Sequence, residues 1–133
     1  MAVLSDPISD FLTRLKNASN ARNEQFTAPF SKIKAEIARI LQDEGYIWNY
    51  EVIGEGPQKQ IKVKTKFNAQ GKPVLNGVKR CSKPGRRQYI SSTEVPRVLS
   101  GLGIAIVSTS SGLMSGAQAR KQHSGGELIA LVW

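Results

Sequence analysis

The sequence predicts an α+β fold: an N-terminal α-β-α-β-β lobe, residues 1–70, packed against a smaller, mainly β C-terminal lobe, residues 71–133. Three observations predict it. Two apolar runs with helical spacing, Ile8 to Ala18 and Ile33 to Leu41, lie among short extended segments in the first lobe. Short apolar runs separated by Gly-, Ser- and Pro-bearing turns fill the second. The polar stretch Asn68-Ala69-Gln70-Gly71-Lys72-Pro73 divides them.

Asp6 can cap the free amides of a first helix, and Pro7 suits the first helical position, where an N–H is unsatisfied anyway. Ile8, Phe11, Leu12, Leu15 and Ala18 then form one apolar stripe ending near Asn20. Gln25–Phe30 is short and interrupted by Pro29, so it reads as an edge strand. Ser31 caps a second helix with Ile33, Ile37, Ile40 and Leu41 inward, stopped by Gly45. Tyr46–Ile53 and Gln60–Phe67 are strands joined by Gly54-Glu55-Gly56-Pro57. In the latter strand Ile61, Val63 and Thr65 alternate with Lys62, Lys64 and Lys66, which leaves one face wet and basic.

In the second lobe, Val74–Cys81 and Gln88–Ser91 read as strands flanking the tight loop Ser82-Lys83-Pro84-Gly85-Arg86-Arg87. A short helix is expected around Glu94–Leu99, stopped by Gly101. Ile104–Ser108 reads as a buried strand, Ser115–Gln122 as a weak helical turn and Glu127–Trp133 as a closing strand.

Charge narrows the function. Nineteen Lys and Arg against ten Asp and Glu leave +9, which attracts polyanions such as nucleic acid or an acidic membrane surface. Residues 1–70 carry ten basic and eight acidic side chains; residues 71–133 carry nine basic ones against only Glu94 and Glu127. The polyanion should therefore dock on the second half. Cys81 is the only cysteine, so no internal disulfide forms, and with a single His it makes no plausible zinc site. The N-terminus lacks a secretory pattern and no apolar run approaches the ~20 residues needed to span a bilayer. A cytoplasmic protein without cofactor, small-molecule substrate or membrane partner is expected.

His123 and the serines around residues 108–115 raise the possibility of a hydrolase, but no G-x-S-x-G elbow and no phosphate-binding glycine loop occur. His123 lies in loop composition, which favours an exposed turn. The run Ser108-Thr109-Ser110-Ser111-Gly112 offers hydroxyls that can bond phosphates, 2′-hydroxyls and base edges, or it is a plain Ser-rich turn. Lys83, Arg86 and Arg87 would project from the Pro84-Gly85 turn toward phosphates, and Tyr89 either stacks on an unpaired base or fills a core. Gly125 and Gly126 let a backbone approach another surface closely. Glu127 could read base amino groups, orient neighbouring cations, or simply pair with a local Arg. Trp133 is expected to close the lobe's core. A small basic DNA-binding regulator is the alternative, though no helix carries the several Arg, Asn or Gln of a recognition helix.

The opening Ser5-Asp6-Pro7-Ile8-Ser9-Asp10-Phe11-Leu12, the segment Ser82-Lys83-Pro84-Gly85-Arg86-Arg87-Gln88-Tyr89, the run Gly101-Leu102-Gly103-Ile104-Ala105-Ile106, the serine run and the ending Gly125-Gly126-Glu127-Leu128-Ile129-Ala130-Leu131-Val132-Trp133 together resemble the bacterial small-subunit ribosomal protein S8 family over the whole chain. The resemblance implies a two-lobe fold without catalysis and early binding to the central domain of 16S rRNA, beside neighbouring small-subunit proteins. It further implies that Ser108, Thr109, Ser110, Gly125, Gly126 and Glu127, with Tyr89 nearby, meet RNA. Some bacterial members also bind a similar fold in their own operon's messenger. Many members carry Lys where this chain has Ser111, so hydroxyls rather than a cation would act there.

Overall fold

Helix α1 spans Pro7–Asn20 in the computed structural model, which describes residues 6–96 and 103–133. The Ser9 N–H donates to Asp6 Oδ1 at 3.1 Å, the expected N-cap, and Ile8, Phe11, Leu12, Leu15 and Ala18 are all buried. The chain divides into two compact units, residues 10–76 and residues 6–9 together with Gly77–Trp133.

The unit of residues 10–76 is a three-stranded antiparallel sheet in the order β1-β3-β2, made of β1 (Gln25–Pro29), β2 (Ile47–Ile53) and β3 (Gln60–Thr65). Among the described residues β1 pairs only with β3, so Pro29 sits on an edge strand, where its missing donor costs no ladder bond. Ile61, Val63 and Thr65 are buried while Lys64 is exposed, the period-two pattern read from the sequence. Helix α2 (Lys32–Asp43) begins at Ser31, whose Oγ accepts from the Lys34 N–H at 3.2 Å. It buries Ile37, Ala38, Ile40 and Leu41, while the Phe11 and Phe26 rings meet with centroids 5.8 Å apart. Lys34 is an unannounced member of this interior. Its Nζ donates to the Pro29 carbonyl at 2.9 Å, and burial pushes its pKa down from the usual lysine value.

The second unit is a five-stranded antiparallel sheet ordered β4-β8-β6-β7, with β5 also pairing β8. Its strands are β4 (Val78–Arg80), β5 (Tyr89–Ile90), β6 (Ile104–Thr109), β7 (Gly112–Ser115) and β8 (Gly126–Val132). Helix α3 (Gly116–Lys121) starts at Ser115, whose Oγ accepts from the Gln118 N–H. Val95, Ala105, Val107, Met114, Ala119 and Leu128 form a core on one face. Trp133 extends the β4–β8 pairing: its N–H and carbonyl exchange bonds with Gly77 at 3.0 Å, and its half-buried indole lies against that glycine.

Some expectations for this unit change. The strand expected over Val74–Cys81 contracts to β4, because the Val74 N–H turns instead to the Lys66 carbonyl in the first unit. β7 has no counterpart in the sequence reading; four residues are too few to show a period. Only a single 3₁₀ turn, Ser92–Glu94, with a Ser91–Glu94 capping box, stands at the start of the helix expected over Glu94–Leu99. The rest of that segment, with Gly101, lies outside the described residues.

Candidate nucleic-acid interface

β8 sits between β5 and β6, and its register lines up the predicted residues. Tyr89 pairs with Glu127, and Glu127 pairs with Ser108. Directly opposed residues of antiparallel strands project to the same face. Tyr89, Glu127 and Ser108 therefore form one row, on the face opposite the core residues Val107 and Leu128. Tyr89 is 69% exposed, so of its two readings the core aromatic is excluded.

The serine run is a correction to its loop reading. Ser108 and Thr109 belong to β6, Gly112 to β7, and only Ser110 and Ser111 form the turn of this hairpin. Thr109 Oγ1 donates to the Gly112 carbonyl at 2.9 Å and accepts from the Ser111 N–H at 3.1 Å, so this hydroxyl holds the turn together. Gly112 has φ 113°, a backbone that residues with a Cβ rarely adopt. Ser110 and Ser111 are exposed at the tip.

The glycine pair does approach another backbone closely, and that backbone is the protein's own. A Cβ on Gly126 would overlap the Ser108 carbonyl oxygen, and one on Gly125 would stand 2.6 Å from the Ile90 oxygen. These approaches let β8 deliver Glu127 beside Ser108.

Glu127 is not a free acceptor. Its Oε2 accepts from the hydroxyl of fully buried Ser82 and from Arg87 Nη1 at 2.8 Å. Ser82 Oγ in turn accepts from the Gln88 N–H at 3.1 Å, tying the basic loop to β8. Burial pushes the Glu127 carboxyl up, but the bonds from Ser82 and Arg87 and the charges of Arg87 and Arg80 outweigh it and hold the pKa below the usual glutamate value. The reading of Glu127 as partner of a local Arg is thus realised. Sequence reading gives Ser82 no role; the signal for it is the isolated acid, which needs a hydrogen-bond donor once it is partly buried.

Lys83, Arg86 and Arg87 are exposed on the tight loop, closed by reciprocal Lys83–Arg86 backbone bonds of 2.9 and 3.0 Å. They join Lys79 and Arg80 around a hollow of about 660 Å³ floored by Leu128 and Leu131. Arg80 itself is nearly buried, bound to Asp6 at 3.1 Å and to the Ile129 carbonyl at 2.8 Å, so it is structural. His123 lies exposed in the turn after α3 with φ 55°, and among the described residues no hydrogen bond links it to a serine or a carboxylate. The described residues include no cluster of His, Cys, Asp and Glu able to hold a metal ion, and no helix long and apolar enough to cross a membrane.

The family model described as ribosomal protein S8 matches residues 6–133. The chain is 55% identical to the small ribosomal subunit protein uS8 of Dictyoglomus thermophilum, over 98% of each chain. It is 52% identical to that of Halalkalibacterium halodurans, over 98% of this chain and 99% of the relative. It is 50% identical to that of Solibacter usitatus, over 97% and 98%. With the whole two-sheet region matched at this identity, the chain belongs to the ribosomal protein S8 family.

Proposed function

We propose that this chain is a structural constituent of the small ribosomal subunit that binds the central domain of 16S rRNA directly and helps assemble it. One observation carries the reading: the register that sets Tyr89, Glu127 and Ser108 in a row, next to a loop bearing Lys83, Arg86 and Arg87. The exposed phenol offers a stacking face, and Ser108, Ser110 and Ser111 offer neutral donors and acceptors. The loop cations neutralise phosphates. Gly125 is exposed beside them, so RNA can approach its backbone. Neighbouring small-subunit proteins are partners on this reading, and the ribosome is its cellular place. A messenger of its own operon that carries the same RNA fold would compete for the same row.

The test is a filter-binding titration with a transcript of the 16S central domain, in the presence and absence of duplex DNA. Saturable binding that weakens steeply with salt and resists the duplex is expected. Lys83→Ala with Arg86→Ala should weaken binding and flatten the salt slope by about one unit for each phosphate left without its cation. Equal competition by the duplex would refute the reading and favour the DNA-binding regulator, and a flat salt response would refute a phosphate-dominated grip on either nucleic acid.

A further inference from the structure

A separate surface lies in the unit of residues 10–76. On β3, Lys64 pairs with Gln25 and Asn49, and Lys62 pairs with Thr27 and Glu51. Lys62 is half-buried and the other five are exposed or half-exposed, so no described element covers this face of the sheet. Toward one end the ladder slips. Ile47 pairs with Thr65 and Asn49 with Lys64, leaving Trp48 as an extra residue on β2. A bulge of this kind re-aims a side chain. Ile47 is buried, whereas Trp48 is 55% exposed with Lys66 Nζ 4.7 Å from its ring centroid.

The charges beside the ring are unequal. Lys62 is paired with Glu51 at 3.6 Å, but among the described residues no carboxylate pairs with Lys64 or Lys66. Glu24 lines the same shallow hollow as Lys64 without an ion pair to it. An exposed indole with the Lys66 ammonium over its ring, and Lys64 two residues earlier in the chain without an ion pair, on an open sheet has the chemistry that takes a nucleobase and its phosphates. A protein partner would have to supply carboxylates for both lysines around a single ring, whereas each nucleotide step carries its own anion.

We propose that Trp48 stacks on an unpaired base of an RNA strand whose adjacent phosphates meet Lys64 and Lys66, a second RNA contact independent of the row at residues 89, 108 and 127. Lys66 holds the indole from its own side by the cation–π contact and presents its charge to the strand.

The test uses the full chain with Trp133→Phe, which leaves Trp48 as its one indole. Titration with a short single-stranded oligoadenylate should quench the Trp48 fluorescence saturably. Trp48→Ala should weaken binding about five- to tenfold, within the range for one stacked base, and Trp48→Tyr should restore most of it. Lys64→Gln with Lys66→Gln should flatten the salt dependence. Absence of quenching, or unchanged affinity in Trp48→Ala, overturns the proposal. Lys83→Ala with Arg86→Ala should leave the quenching intact; its disappearance there would show that the two surfaces are not separate sites. Should Trp133→Phe fold poorly, photocrosslinking of the oligonucleotide to the unaltered chain decides, with the adduct on Trp48 expected and adducts confined to residues 77–133 contradicting it.

Discussion

Both sheets present a polar face, and they make it by different means. In the three-stranded sheet the face follows from alternation: Ile61, Val63 and Thr65 turn inward, so Lys62 and Lys64 must turn outward. Any side chain with β propensity could stand at an outward position. In the five-stranded sheet the row of Tyr89, Glu127 and Ser108 depends on how closely the backbones approach. Gly126 has no space for a Cβ, and the one carboxylate in the row is fixed by a buried hydroxyl on a neighbouring loop. The fold of the first surface tolerates change because its outward side chains interact only with one another at the surface, by the Lys62–Glu51 pair and the Lys66–Trp48 contact; the second was built as a unit.

The largest effect that could break this contrast is at the closest approach. Gly126→Ala should destabilise the second unit by about 3 kcal/mol, because the added methyl meets a backbone carbonyl that cannot rotate away. Thr27→Ala, at an exposed position of β1, should shift stability by no more than about 0.5 kcal/mol. Urea unfolding of both variants checks the pair. Equal losses would mean that the β8–β6 approach is looser than described.

Next in size is Ser82→Ala. It removes one fully buried hydroxyl that serves two groups, leaving the Glu127 carboxylate with only its Arg87 bond and the Gln88 N–H without its acceptor. A drop of about 1–3 kcal/mol is expected by urea unfolding, together with weaker RNA binding as Glu127 loses its fixed position. Ser110→Ala, at the exposed hairpin tip, should change stability by less than about 0.5 kcal/mol. A Ser82 variant as stable as the Ser110 one would remove the buried tie from the account.

The same contrast explains what could be read from the sequence. The first unit was legible almost residue by residue, since the Phe11–Ala18 stripe, the Ser31 cap and the Ile61–Thr65 alternation are local signals, each complete within one helix, turn or strand. The second unit hid what depends on distant residues. Nothing in Gly112–Ser115 announces a strand until β6 lies beside it, and Thr109 reads as one more loop hydroxyl until its bond to Gly112 is seen. The candidate row was legible as residue types: Tyr89, Ser108 and Glu127 were each singled out. Their alignment was not, because it is set by strand register across segments separated in sequence. Lys34 and Trp48 were missed for the opposite reason. Their types suggest outside and inside respectively, and local geometry reverses both.

The smallest effect separates the units by pH. Glu127 has a folded pKa below its ordinary value, so the unfolded chain binds the proton more readily. Its contribution is complete above the unfolded glutamate pKa and is lost as pH falls through the folded one. Acid should therefore loosen the second unit through this group, and Glu127→Gln should blunt that response. Lys34 also has a lowered folded pKa, but as a base it carries a penalty below that pKa, where the buried ammonium is charged. The penalty lifts as pH rises from the folded value toward the unfolded one near 10.5, so alkali should stabilise the first unit through this group. Lys34→Met should abolish the alkaline gain and leave the acid response untouched. Residue-resolved hydrogen exchange across both pH ranges reads the two units separately. An acid response that persists undiminished in Glu127→Gln would show that the Ser82–Glu127–Arg87 cluster is not what links the second sheet to pH.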